Sequence, residues 1–214
     1  MRNHDGAGKV WDRAFQAGAI KQHSVLCHID AHDDLAKRGI LPCSFAELTK
    51  KNYQVGSFIL PRVNVGIIDT IIWIKPKGED PTNKLRRNTE TASFVNFPSS
   101  LEAEDLRNKP LVHTTDKITP ASADLLDIDL DFFTQGLSKF TPNFVLKRRV
   151  SAFMKELFNN ISGVKIITIA TSPGYIQSGR EIIILETVLR EYAKKKKRIF
   201  SPNNPEVFCG GKDA

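Results

Sequence analysis

The chain has 214 residues, of which 41% are hydrophobic and 26% charged, and this is typical of a globular protein that buries its own core. No apolar run approaches the roughly 20 residues of a membrane helix, and the N-terminus has no signal peptide pattern, so we expect no membrane partner. The three cysteines are odd in number and widely spaced. They exclude a disulfide framework and indicate a reducing, cytoplasmic setting.

The formal net charge is +7, and much of it lies in residues 84–87 and 194–198. The second run ends a helical pattern, where cations interact favourably with the negative end of the helix dipole. We interpret it as a solvated helix end. A nucleic-acid patch is the alternative, but no aromatic residues are interleaved and no known reader motif is present, so we expect no nucleic-acid partner.

In chain order, the spacing of apolar residues predicts helices that alternate with short apolar strands. The predicted helices cover residues 8–19, a segment that begins at Ser44, and residues 142–159 and 180–196. The predicted strands cover residues 25–29, 69–74, 110–113, 123–128 and 164–170. Glu47 follows Ser44 at the spacing of a capping box. Residues 53–66 are apolar but contain a proline, so helix and loop both remain open there.

The alternation predicts one α/β domain over residues 1–214, a three-layer α-β-α arrangement with a mostly parallel sheet. Residues 75–108 break the pattern, because they are charged, rich in Pro, Asn and Ser, and lack a periodic apolar face. We interpret them as an irregular insertion and expect a mobile lid near the site entrance. Ligands of such folds bind beyond the carboxyl ends of the strands.

Polar clusters follow three of these strands. The first is "DAHDD", the second surrounds "DLD", and the third is "TSPGY". Within the first two, residues two apart share a face of an extended chain. This rule groups Asp30, His32 and Asp34 in the first cluster and Asp127, Asp129 and Asp131 in the second. Converging carboxylates call for a cation, and carboxylates mixed with imidazole suit Mn²⁺. So many carboxylates favour about two ions per chain.

Each motif alone has another interpretation. "DxDxD" after a strand also resembles the nucleophile strand of Mg²⁺-dependent phosphatases, and "DAHDD" alone is compatible with a solvated N-capping loop. Two such motifs in one chain, each after a buried strand, favour the metal site. We expect His23 and His28 to be ordinary side chains outside it, and Asp33 to cap the turn or orient a ligand.

"DAHDD" resembles the DxHxD signature of the arginase–deacetylase (ureohydrolase) superfamily, and "LLDIDLDFF" resembles its second signature, a strand that ends in DxD. The resemblance implies an arginase/deacetylase-like fold and a binuclear Mn²⁺ centre bridged by Asp30 and Asp129. It implies the terminal ligands His32, Asp34 and Asp131.

A histidine at a helix start is the remaining ligand that the family implies, and "NHDGAG" offers His4. The order here is His-Asp instead of the family's Asp-His. Only three residues precede His4, so the strand expected there is nearly absent and a truncated start is one interpretation.

"VGSFILPRV", "DTIIWIKP", "DIDLDFF" and "ATSPGY" look most like the peptide arginase branch. The resemblance implies hydrolysis of arginine side chains in a ribosomal precursor peptide to ornithine and urea. Two alternatives remain: a hydrolase of a small guanidino or acylated amine compound on the same metal site, and a non-enzymatic, metal-containing peptide-binding protein.

Departures from the family pattern concern the substrate side. Free-arginine enzymes carry a Glu near a Pro after a late strand, whereas residues 170–173 here contain no Glu. The family's proton-shuttling His after DxHxD is also missing, which leaves His113 as a candidate shuttle. Ser172 and Tyr175 are candidates for substrate binding, with a plain Pro-Gly turn as the alternative.

Overall fold

A computed structural model describes residues 4–36, 40–53, 56–76, 111–172 and 174–199. The expected insertion lies outside these residues, except for its first two positions. The helices are α1 (Gly6–Gln16), α2 (Phe45–Leu48), α3 (Ile59–Asn64), α4 (Asn143–Asn160) and α5 (Arg180–Ile199). The strands are β1 (Ser24–Ile29), β2 (Ile68–Ile74), β3 (Leu111–Thr115), β4 (Ala121–Ser122), β5 (Leu125–Asp129), β6 (Ile161–Ser162) and β7 (Ile166–Ala170).

Five strands form one sheet in the order β3-β2-β1-β5-β7, and every neighbouring pair is parallel. The parallel sheet expected from the alternation of helices and strands is therefore confirmed. β4 and β6 pair separately and were not predicted, because two residues are too few to show a periodicity.

Alternate residues of the central strands pack into two separate cores. Leu26 and Leu125 belong to a core that also contains apolar side chains of α1, α2 and α3. The next residue of each strand, Cys27 or Leu126, belongs to a second core that is shared with α4 and α5. Since successive side chains of a strand point to opposite faces, helices cover both faces of the sheet. The three-layer α-β-α arrangement is confirmed.

Local interactions explain where the two short helices α2 and α3 form. Ser44 Oγ accepts a hydrogen bond from the Glu47 N–H (3.3 Å), and Glu47 Oε2 accepts one from the Cys43 N–H (2.8 Å), so the capping interaction starts α2. α3 carries Pro61 as its third residue, where the missing N–H costs no intrahelical hydrogen bond. The open interpretation of residues 53–66 thus becomes a helix within that segment.

α1 is fixed against α3 by a buried ion pair. Arg62 donates to both carboxylate oxygens of Asp12 (3.0 and 2.5 Å) and to the Phe58 carbonyl oxygen (2.7 Å). A Cβ on Gly8 would lie 2.5 Å from Arg62 Cζ, so the absence of a side chain at Gly8 permits the close approach. This contact matters for the site, because His4 lies just before α1.

The basic run at the end of α5 lies against the protein surface. Lys194 Nζ donates to Glu191 (2.8 Å), Lys195 Nζ donates to the Phe158 carbonyl oxygen (2.6 Å), and Lys196 Nζ lies over the Tyr192 ring. These contacts agree with the interpretation of the basic run as the end of a helix. Among the described residues, we find no helix with the length and apolar character needed to span a membrane.

Candidate metal centre

The two central strands end in the same local turn. Asp30 directly follows β1, and its Oδ1 accepts a hydrogen bond from the His32 N–H (2.8 Å). Asp129 ends β5, and its Oδ1 accepts one from the Asp131 N–H (3.1 Å). In such a turn the side-chain oxygen of the aspartate accepts a hydrogen bond from the N–H two residues later, in the way a backbone carbonyl does in a β-turn. The chain therefore bends where the strand ends. β1 and β5 are neighbours, so both turns lie at one edge of the sheet.

His4 joins this edge from the start of α1. Its Nδ1 lies 3.0 Å from Asp30 Oδ2, 2.9 Å from Asp34 Oδ2 and 3.2 Å from Asp129 Oδ2. Asp34 has a positive φ of 51°, which Asp tolerates better than most residues. The structure therefore places three of the predicted ligands around the imidazole nitrogen of a fourth, His4.

The other two predicted ligands lie on the second side of Asp30. His32 Nδ1 is 3.4 Å from Asp30 Oδ1 and 3.3 Å from Asp131 Oδ2. Among the described residues, His4, His28 and Asp30 form one group able to hold an ion, and Asp30, His32 and Asp131 form another. Asp30 belongs to both groups, and this is the position of the bridging ligand that the resemblance implies.

His28 lies within the cluster, although we expected it to lie outside. Its Nε2 lies 3.5 Å from Asp30 Oδ2, and its Nδ1 lies 3.0 Å from Asp127 Oδ2. The signal was present in the sequence, since residue 28 of β1 and residue 30, which directly follows that strand, are two apart and share a face of an extended chain. Asp127 precedes Asp129 by the same two positions.

Several buried polar atoms of the cluster make no hydrogen bond to the described residues: His28 Nε2, Asp30 Oδ2, Asp34 Oδ2 and Asp131 Oδ1. Buried oxygens without donors are costly, and a cation would satisfy them. Two ligands on adjacent octahedral positions of an ion lie about 3 Å apart. The separations around His4 Nδ1 match that value, so these residues fit a divalent ion.

The charges of the cluster point the same way. Burial raises the pKa of Asp131 to about 7, and the charges of Asp30 and Asp129 add to this effect, whereas hydrogen bonding to His32 opposes it. Hydrogen bonds to Asp131 and Asp30 raise the pKa of His32 to about 11. The neighbouring carboxylates thus oppose the ionisation of Asp131, and a bound cation would relieve this repulsion.

Ser172 and Tyr175 differ in burial and in the cluster residue that each contacts. Ser172 is buried, has a positive φ of 41°, and donates a hydrogen bond to Asp129 Oδ2. It therefore positions a candidate ligand. Tyr175 is 65% exposed, and its ring lies edge-on to the His32 ring, with 5.6 Å between centroids. Tyr175 thus lies at the open side of the cluster. The proline between them lies outside the described residues.

The structure does not bring His113 to the cluster. His113 lies on the edge strand β3 opposite Ile72, which in turn is opposite Cys27 on β1. Since Cys27 and His28 are on opposite faces of the sheet, His113 faces away from the cluster and two strands to the side. The shuttle interpretation therefore lacks support. Asp33 Oδ1 accepts a hydrogen bond from the Leu35 N–H (3.2 Å), consistent with the expected turn cap.

No family model matches the chain, and no curated protein matches it. Solved structures do match, and formimidoylglutamase from Bacillus subtilis gives a TM-score of 0.54 at 14% identity over 92% of this chain and 60% of the other. Proclavaminate amidino hydrolase from Streptomyces clavuligerus gives 0.47 at 19% identity, covering 91% and 64% of the two chains. Arginase from Medicago truncatula gives 0.49 at 14% identity, covering 91% and 58%.

The chain spans about three fifths of the length of these solved structures. A structural match at such low sequence identity establishes likeness of fold alone. It does not distinguish the peptide arginase branch. With the parallel sheet order and the match to formimidoylglutamase, the expected α/β fold is confirmed: the chain shares the fold of that solved structure.

Proposed function

We propose that the protein is a metal-dependent hydrolase that converts an arginine side chain in a ribosomal precursor peptide to ornithine and urea. The observation that carries the proposal is the convergence of two His/Asp groups that share Asp30 at the carboxyl edge of the sheet. The reaction balances without a further reactant. A protonated guanidino group and one water give a protonated ornithine amine and urea, as the bond between the side-chain nitrogen and the guanidino carbon breaks.

The residues that would hold the ions are those of the cluster, namely His4, Asp30, His32, Asp34, Asp129 and Asp131. Divalent ions, proposed to be a pair of Mn²⁺ on the chemistry of this ligand set, supply Lewis-acid activation of a water molecule when bound. Asp30 and Asp129 are proposed as the bridging ligands. The turns that orient both carboxylates hold them in place before any substrate arrives.

Electrostatics are compatible with a cationic substrate. A guanidinium group remains protonated at all relevant pH values, and the carboxylates of Asp30, Asp34, Asp129 and Asp131 would offset the charge of two divalent ions and so lower their repulsion of it. His32 is the partly exposed member of the cluster, with 31% of its side chain accessible, whereas His4, Asp30 and Asp131 are buried. The substrate group is therefore proposed to approach on the His32 side, past the exposed ring of Tyr175.

Two features favour a peptide over free arginine. The position after β7 where free-arginine enzymes carry a Glu has none here, and Ser172 in that segment is engaged by Asp129. Tyr175 is exposed at the open side, where a chain that inserts one side chain could rest its backbone. A basic surface with net charge +7 would also attract an acidic precursor peptide.

A urea assay separates the candidate functions. The Mn²⁺-loaded protein is given arginine-containing peptides, free arginine, agmatine and an acetylated amine in parallel, with an Asp30→Asn variant and chelator-treated protein as controls. Urea and ornithine from the peptide alone support the proposal. Activity on a small compound supports the first alternative, and stoichiometric peptide binding without product supports the non-enzymatic one.

A further inference from the structure

A row of polar side chains lies beneath the metal cluster. In the sheet register, His28 of β1 is opposite Asp127 of β5, which is opposite Thr168 of β7. All three are buried, and Trp11 Nε1 of α1 donates to Thr168 Oγ1 (3.3 Å). Buried polar groups persist when each has a partner, so the partners of this row define what each member can do.

Asp127 accepts hydrogen bonds from three side chains. Its Oδ2 lies 2.6 Å from His4 Nε2 and 3.0 Å from His28 Nδ1, and its Oδ1 accepts from Thr168 Oγ1 (2.5 Å). Trp11 can only donate, so the Thr168 oxygen accepts from it and the hydroxyl proton goes to Asp127. A carboxylate only accepts, so both imidazoles must turn an N–H towards it.

The other nitrogen of each ring faces the cluster. A neutral imidazole with one N–H engaged carries a lone pair on its second nitrogen, which here is His4 Nδ1 or His28 Nε2. The two rings stack, with 5.4 Å between centroids. His28 is fully buried, its Nε2 has no hydrogen bond to any described residue, and Asp30 Oδ2 at 3.5 Å also has none. A divalent ion placed between these two acceptors would satisfy both of them.

We propose that His28 is a further metal ligand, through Nε2, to the ion that His4 and Asp30 hold, and that Asp127 is a positioning residue that orients both imidazoles. The inference rests on the metal centre of the proposed function. It adds a third imidazole, which the resemblance to the family does not imply. A carboxylate that fixes the tautomer of a metal-binding histidine is a recurrent arrangement, and here one carboxylate serves two rings.

Two substitutions replace the His28 imidazole with an amide that occupies the place of only one of its two nitrogens. His28→Asn keeps an N–H near the place of Nδ1, where it can still donate to Asp127, and removes Nε2. His28→Gln places its amide near Nε2 and gives up the Nδ1 contact. Asp127→Asn keeps the size of the side chain but exchanges an acceptor for a donor. The matched control is His23→Asn, since His23 is 68% exposed and has a positive φ that Asn accepts.

The test uses the full chain loaded with Mn²⁺ and reads binding isotherms and the imidazole nitrogen couplings in pulsed EPR. We expect three histidine couplings in the unsubstituted protein and one fewer in His28→Asn and His28→Gln. Affinity for one ion should fall roughly 10- to 100-fold in both, and also in Asp127→Asn. His23→Asn should behave as the unsubstituted protein does.

Unchanged couplings and affinity in His28→Asn would overturn the inference. If His28→Asn does not fold, His28→Gln decides the coupling count in its place. An unsubstituted protein that binds no Mn²⁺ would contradict the metal centre and the inference together. A loaded protein that shows the expected loss in the variants but releases no urea would support the inference and contradict the proposed function.

Discussion

The hydroxyl of Ser172 donates a hydrogen bond to Oδ2 of Asp129, the same oxygen that lies 3.2 Å from Nδ1 of His4. Ser172 follows β7 and Asp129 ends β5, so the contact joins two neighbouring strands at the edge that carries the cluster. Ser172 holds a left-handed backbone conformation to make it. Such a conformation is costly for a residue other than glycine and persists where surrounding contacts determine it.

Ser172→Ala should therefore weaken metal binding more than substrate binding. Loss of a hydrogen bond that orients a ligand typically lowers metal affinity about 10- to 100-fold. Tyr175→Ala is the matched comparison, because Tyr175 is exposed and its ring lies edge-on to the His32 ring. We expect it to raise KM for a peptide and leave the Mn²⁺ isotherm unchanged. If Ser172→Ala instead raised KM and Tyr175→Ala weakened Mn²⁺ binding, Ser172 would be a substrate-binding residue.

Asp30→Asn and Asp129→Asn should abolish metal loading and urea release, whereas Asp33→Asn should retain most of both. Asp30 and Asp129 each lie within 3.2 Å of His4 Nδ1, and Asp30 belongs to both candidate groups, so losing either charge affects the whole centre. Asp33 Oδ1 accepts from the Leu35 N–H, which an Asn oxygen can also do. Elemental analysis and a urea assay give the comparison. Equal behaviour of the three variants would contradict the assignment of "DAHDD" as the metal cradle.

Removal of cations should lower thermal stability. Asp30, Asp34 and Asp131 each have a buried oxygen without a hydrogen bond to the described residues, and the folded state alone can offer these atoms to an ion. An ion at 100 times its Kd stabilises the folded state by about 2.7 kcal/mol. Calorimetry with Mn²⁺ and with chelator should show a lower Tm after chelation, with about two ions per chain in the loaded protein. Zinc held by a cysteine would contradict the proposed binuclear centre.

Arg62→Met should destabilise the fold and, through α1, the position of His4. Arg62 is buried and its removal leaves Asp12 without its bidentate partner. Breaking a buried pair in this way costs about 3–5 kcal/mol. Lys165→Ala is the control, since its pair with Asp124 is 45% exposed on the lysine side and such pairs contribute about 0–1 kcal/mol. Urea denaturation of the three proteins measures the difference.

Gly8→Ala tests the same contact from the other helix. Alanine is favoured over glycine in a helix interior by about 1 kcal/mol, so an exposed site would gain stability. At this position the new Cβ would lie 2.5 Å from Arg62 Cζ, and the ion pair with Asp12 prevents the guanidinium from moving aside. We expect a loss of about 1–3 kcal/mol by overpacking. A more stable variant would show that the guanidinium can move away.

The elements and the two acidic motifs were predictable from the sequence because their causes are local. The apolar runs of β1, β5 and β7 and the periodicity of α4 and α5 show in neighbouring residues. The turns at Asp30 and Asp129 also depend on a residue two positions on. The parallel arrangement follows from the alternation of the elements, which places both motifs at one edge of the sheet.

Only the tertiary structure decided how Asp127 joins His4 and His28 at the cluster. His28 and Asp127 are 99 positions apart, and His4 and Asp127 are 123 positions apart, so no local pattern pairs them. Their contacts depend on the strand order β2-β1-β5-β7 and on a register that sets His28 beside Asp127 and Asp127 beside Thr168. A shift of one residue would turn each of these side chains to the other face, and burial of both faces specifies the register that brings them together.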